Sequence, residues 1–177
     1  MKTDDVQRFL ENVAWFNHFF EDVGQLFEKI RKALEHQFVL TDKSLLYYPK
    51  YAYQPSIPPY SMLGLAGDDC AFQIFAVFSP VEIEATNFTG EPSFFVVKHA
   101  DADKYNWVEE LGMAVIRGQG IDIHLNDEKV ASGKILKHDC RFYAYQLSFD
   151  EFLEGQDIDR TIHEQIVQRV HAFPGWV

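Results

Sequence analysis

Several stretches of this sequence bring together side chains that could do chemistry. His138-Asp139-Cys140 sets a base, an acid and a thiol side by side, the components of a cysteine nucleophile. Adjacency in sequence is the wrong evidence for such a site, because successive strand residues point to opposite faces and working dyads are assembled across a fold. His138 and Asp139 therefore read as the turn of a hairpin and Cys140 as an ordinary strand thiol. Lys98-His99-Ala100-Asp101-Ala102-Asp103 follows a strand and opens a helix, so His99, Asp101 and Asp103 come close enough to share a cation. A helix cap accounts for Asp101, and the positive end of the helix dipole suits Asp103. His124 falls on the polar face of an alternating strand. No catalytic residue, metal ligand or cofactor is assigned from these stretches.

The strongest local departure in composition lies elsewhere. Tyr47, Tyr48, Tyr51, Tyr53 and Tyr60 are interleaved with Pro49, Pro55, Pro58 and Pro59. A tyrosine offers a flat apolar body with one hydroxyl, and prolines hold a backbone with little entropy left to lose. These five tyrosines are the candidate ligand-binding residues, forming a wall that grips a small ligand or a peptide. The competing reading is that they pave an extended crossover over a sheet. A second outlier is the acidic run Asp150, Glu151, Glu154, Asp157 and Asp159. Its last two members suit the start of a helix, and its early members could pair with a basic surface. Phosphate-loop, nucleophile-elbow and paired-cysteine zinc spacings are absent. Gly118-Gln119-Gly120 lacks the third glycine of a dinucleotide fingerprint and precedes a strand, which is the wrong order.

The elements that must position these residues follow from periodicity. Apolar residues at 6, 9, 13, 16, 20, 23, 27, 30 and 34 alternate three-residue and four-residue steps, which marks one long N-terminal helix. Phe19, Leu26 and Ala33 widen that stripe, so it suits packing on a sheet or a broad helix pair better than a narrow zipper. Residues 38–62 form a proline-broken connector, with a short strand near Leu45 to Tyr48. Short segments rich in Phe, Val and Ile follow at Ser61–Leu65, Cys70–Phe78, Val81–Ala85 and Ser93–Lys98 and read as strands. Cys70–Phe78 and Phe94–Val97 are apolar on both faces and so belong at the centre of the sheet. Tyr105, Val108, Leu111 and Val115 mark a middle helix that stops at Arg117-Gly118. Ile121–Leu125, Lys129–Leu136 and Arg141–Phe149 form an antiparallel meander, and a last helix runs from about Asp157 to Ala172 with Ile158, Ile162, Ile166 and Val170 on one stripe.

Together these predict an α+β fold over residues 1–177 as a single globular domain, with a mostly antiparallel sheet and N-terminal, middle and C-terminal helices. Phe72, Ile74, Phe94, Val96, Phe142 and Tyr145 are expected in its core. Composition bounds the function. Sixteen basic against 27 acidic residues leave a formal charge of −11, and nowhere do Lys and Arg concentrate, so neither nucleic acid nor an anionic membrane surface is expected as a partner. The longest apolar runs fall far short of the roughly 20 residues a spanning helix needs. The charged start lacks the apolar region of a secretory signal, and Cys70 and Cys140 read as reduced thiols in a cytoplasmic protein. The expected function is a non-enzymatic small-ligand or peptide/protein-binding module that dimerises through the N-terminal helix. The alternatives are a small enzyme whose site is assembled from His, Asp and Cys residues, and an acidic protein inhibitor.

Overall fold

The computed structural model describes residues 3–35, 45–47, 60–66, 70–100, 108–153 and 157–172. Seven strands form one sheet: β1 (Leu45–Tyr47), β2 (Tyr60–Ala66), β3 (Ala71–Val77), β4 (Ser93–His99), β5 (Ile121–Asp127), β6 (Val130–Ile135) and β7 (Cys140–Ser148). Their order across the sheet is β1-β2-β3-β4-β7-β6-β5, and each neighbouring pair is antiparallel. The helices are α1 (Thr3–Glu35), α2 (Val108–Arg117), a single turn α3 (Asp150–Leu153), and α4 (Ile158–Ile162), which continues through a π turn (His163–Val167) into α5 (Gln168–Ala172). The fold is α+β with an antiparallel sheet.

Both faces of this sheet are covered, and the two-residue period of the strands sorts their side chains between two cores. Leu63, Leu65, Phe72, Ile74, Phe94, Val96, Tyr145 and Leu147 face one way, where Val23, Phe27, Ile30 and Leu34 of α1 and Ile162, Ile166 and Val170 of the C-terminal helix pack on them. Phe19, Leu26 and Ala33 pack against that cluster as well, so the widened stripe of α1 extends its cover of this face beside the C-terminal helix. Met62, Phe75, Val77, Phe95, Val97, Phe142 and Ala144 face the other way, against Leu111, Met113, Val115 and Ile116 of α2 and Phe88 of the β3–β4 connection. The six expected core residues, Phe72, Ile74, Phe94, Val96, Phe142 and Tyr145, are all buried. Every residue of β3 is buried, as its two apolar faces require.

Side-chain hydrogen bonds fix the helix ends and the connections. Asp157 caps α4 by accepting from the Arg160 amide at 3.3 Å, and Lys29 of α1 bridges to Asp159 at 2.9 Å, joining the two helices on that face. The Tyr145 hydroxyl donates to the Gln165 carbonyl inside the π turn at 2.9 Å. Buried Gln146 accepts from the Thr89 amide and donates to Ser93 Oγ, which anchors the β3–β4 connection.

Two local expectations are corrected. Val81–Ala85 is not a strand: the segment runs over the α2 side of the sheet, where the Val81 amide bonds Gly90 and the Glu84 amide bonds the Arg117 carbonyl. Its alternation is genuine, since Val81 and Ile83 lean on the second core, but Pro80 and the Gly90 contact take its backbone away from any sheet edge. The β5–β6 turn falls at Glu128-Lys129 rather than at residues 126–128, the gap left between the expected strands Ile121–Leu125 and Lys129–Leu136, with Lys129 in the left-handed region (φ 60). Asn126 instead stays in the strand and holds the 85–87 segment: it accepts from the Asn87 amide at 2.8 Å and donates to the Ala85 carbonyl at 3.0 Å.

Candidate functional site

The C-terminal half of α2 is an amphipathic helix seated on β3, and it sits close because position 112 is glycine. A Cβ there would lie 2.5 Å from Phe75 Cζ. Beyond Arg117 the chain turns through Gly118, whose positive φ of 75 suits glycine. The amides of Gly118 and Gln119 return to the carbonyls of Val115 and Ala114 at 3.2 and 2.9 Å, so the last carbonyls of the helix are satisfied. Across from this end, the turn between β6 and β7 folds as a short 3-10 segment (Leu136–His138), and the Leu136 amide bonds the Gly120 carbonyl at 2.9 Å.

These pieces enclose a cleft of about 630 Å³, within the range of small-molecule sites. Its lining combines the apolar Tyr60, Leu111, Met113, Ala114 and Ile135 with the polar Arg117, Gln119, Lys137 and His138. Tyr60 is half-buried and meets Phe75 edge-on, their ring centroids 5.7 Å apart. Two carboxylates lie near the rim. Glu84 accepts from the Gln119 side-chain amide, and Asp139, on a left-handed backbone (φ 53), is bound to Lys134. Lys134 holds the Asp139 carboxyl below the usual carboxylate range through that contact.

Of the five tyrosines expected to bind, the structure thus brings Tyr60 to the cleft. Tyr47 lies in β1 by its backbone, paired with Met62, and Tyr48, Tyr51 and Tyr53 lie outside the described residues. The His138-Asp139-Cys140 run is dispersed: His138 lines the cleft, Asp139 turns outward to Lys134, and Cys140 is buried, its thiol 3.6 Å from the Arg141 carbonyl. His99 is fully buried in β4, whereas Asp101 and Asp103 lie outside the described residues. Among the described residues no group of three or more His, Cys, Asp or Glu side chains could hold a metal ion. His124 is exposed on β5, as its polar face implies. In the acidic run, Asp157 caps a helix, Asp159 lies in the first turn of that helix and also pairs with Lys29, and Glu154 lies outside the described residues.

Sequence reasoning missed Arg117, Lys137 and Met113, which line the cleft. It also missed an aromatic ladder on the opposite sheet face. Phe94, Phe149, Phe78, Phe19 and Phe20 are linked by ring contacts of 4.5–6.1 Å. Trp15 stacks on Phe19 at 5.4 Å and is 59% exposed. Beside it a groove of about 340 Å³ runs between α1, Phe94, Phe149 and Ile158.

No protein-family model, curated protein or solved structure matches this chain. Among the described residues no helix is long and apolar enough to cross a membrane.

Proposed function

We propose that the chain is a non-enzymatic binding module of the cytoplasm, taking a small ligand in the cleft between α2, Tyr60 and the β6–β7 turn. The observation that carries this reading is the cleft itself, since a largely apolar lining with a few polar groups is the common form of a small-molecule site. Tyr60 supports it as well, because this member of the Tyr- and Pro-rich segment lines the cleft. The free thiols Cys70 and Cys140, buried in different cores, suit a reducing compartment. The largely exposed Trp15, beside the groove along α1, supports a second copy as partner through α1, since an apolar patch left open to solvent marks a contact surface.

The test is a screen of small aromatic and aliphatic fragments by amide NMR, with an Ala114→Trp variant that fills the cleft. Fragments should shift the amides of Met113, Gly120 and His138 together, and Ala114→Trp should abolish those shifts. Shifts scattered over the surface, or unchanged by the filled cleft, would refute the reading.

A further inference from the structure

We infer that the cleft selects an anion carried on a flat apolar body: a carboxylate, sulfonate or phosphate attached to an aromatic or similarly planar group. This rests on the binding reading above and adds the class of ligand.

The net charge of −11 would by itself repel an anion. At physiological salt, however, charges beyond roughly 8 Å are largely screened, so the immediate lining decides. Among the described lining residues Arg117, Lys137 and His138 bring basic nitrogen into one cleft, and none carries a carboxylate. Of the two carboxylates near the rim, Asp139 is ion-paired with Lys134, while Glu84 is turned to the Gln119 amide and keeps its charge, which opposes an anion without lining the cleft. Arg117 decides the assignment. Its side chain is exposed and makes no ion pair among the described residues. A basic residue in the last turn of a helix is ordinarily explained by the dipole. Here the carbonyls of Val115 and Ala114 already accept from the amides of Gly118 and Gln119, and Lys137 lines the same cleft from a different element.

A guanidinium presents a planar fork of donors that matches a carboxylate or phosphate in two parallel hydrogen bonds. Beside it in the same lining, Tyr60, Leu111, Met113 and Ile135 supply apolar contact for a ring, with Met113 able to adapt its shape. An anion at Arg117 and a ring against Tyr60 would use the polar and the apolar parts of the lining at once, which neither a bare anion nor a neutral hydrocarbon does.

Two dyes of nearly the same shape test this. 8-Anilinonaphthalene-1-sulfonate carries the anion on the aromatic body, and N-phenyl-1-naphthylamine is the body without it. Fluorescence titration of the wild-type chain should show the sulfonate bound about tenfold more tightly. Arg117→Gln should remove most of that preference without changing the neutral dye's affinity, with Arg117→Lys falling between. Equal affinities for the two dyes, or an Arg117→Gln variant that keeps the preference, would overturn the anion assignment. If Ala114→Trp still abolishes binding of both dyes in that case, the cleft remains a binding site and only the ligand class is wrong. If Ala114→Trp changes neither dye, the cleft reading falls with it. Circular dichroism of each variant establishes that it is folded.

Discussion

Replacing Gly133 by Ala should detach the edge of the sheet. Gly133 lies in β6 opposite Ile123 of β5, and it is buried. A Cβ built on it would sit 2.9 Å from both the Asp122 carbonyl carbon and Ile123 Cα, with the Asp122 carbonyl oxygen nearer still. These are backbone atoms of the neighbouring strand and cannot rotate aside as a side chain could. Carbon atoms prefer roughly 3.5–4.0 Å, so β5 and β6 must part by about 1 Å. Ladder hydrogen bonds near 2.9 Å then stretch beyond about 3.5 Å and are effectively lost. Losing about two of them costs about 1–3 kcal/mol at about 0.5–1.5 kcal/mol each. Removing a strand glycine recovers about 0.5–1 kcal/mol, leaving a net destabilisation of about 0.5–2 kcal/mol. In a chain of this size that lowers Tm by about 1–8 °C. Urea unfolding gives the free energy, and amide exchange locates it. Protection should fall over Ile121–Asp127 and persist in β3 and β4. An alanine variant as stable as wild type, with β5 amides still protected, would show that the strands do not approach this closely.

Two further outcomes follow from the same structure. Burial pushes the Tyr145 phenol well above its ordinary 10.0, with Arg169 opposing. A raised pKa means stability is fully present below pH 10 and is lost as pH rises beyond it. Tyr145→Phe should flatten that alkaline decline while costing about 1 kcal/mol at pH 8 for the hydrogen bond to Gln165, both measurable by urea titration at several pH values. Tyr143, raised more weakly by burial, should leave a residual slope; an unchanged decline in Tyr145→Phe would sink the assignment. Light scattering at micromolar concentration should give twice the 20.6 kDa chain mass, and Trp15→Glu should return the mass to one chain; a wild-type monomer would end the proposal of a second copy on α1.

Much of this fold was legible because each element writes its environment into a local period. The stripe Val23, Phe27, Ile30 and Leu34 and the stripe Ile162, Ile166 and Val170 are helix faces readable without any partner. The two-sided apolar runs of β3 and β4 could belong only at the centre of a sheet, and the acidic start of the last helix announced the Asp157 cap. Local pattern was insufficient where a backbone's partner lies far away in the chain. Val81 and Ile83 alternate because one face packs on a core, but alternation reports packing and is silent on whether the backbone joins a ladder. The β5–β6 turn was misplaced because Asn126 and Asp127 are turn formers by propensity, yet Asn126 is engaged by Asn87 and Ala85 and stays in the strand.

The cleft is the extreme case. Tyr60 was singled out because unusual composition is visible in a single window, but Arg117 looked like a helix end, Lys137 and His138 looked like a hairpin turn, and Met113 was one apolar residue among many. What the sequence determined by itself was the set of elements and which face of each is apolar, since these depend on neighbours within a few positions. What only the tertiary structure decided was that the end of α2, the start of β2 and the β6–β7 turn meet. That convergence depends on strand order and on the close seating of α2 at Gly112, and both come from contacts between residues distant in the chain, which no local period encodes.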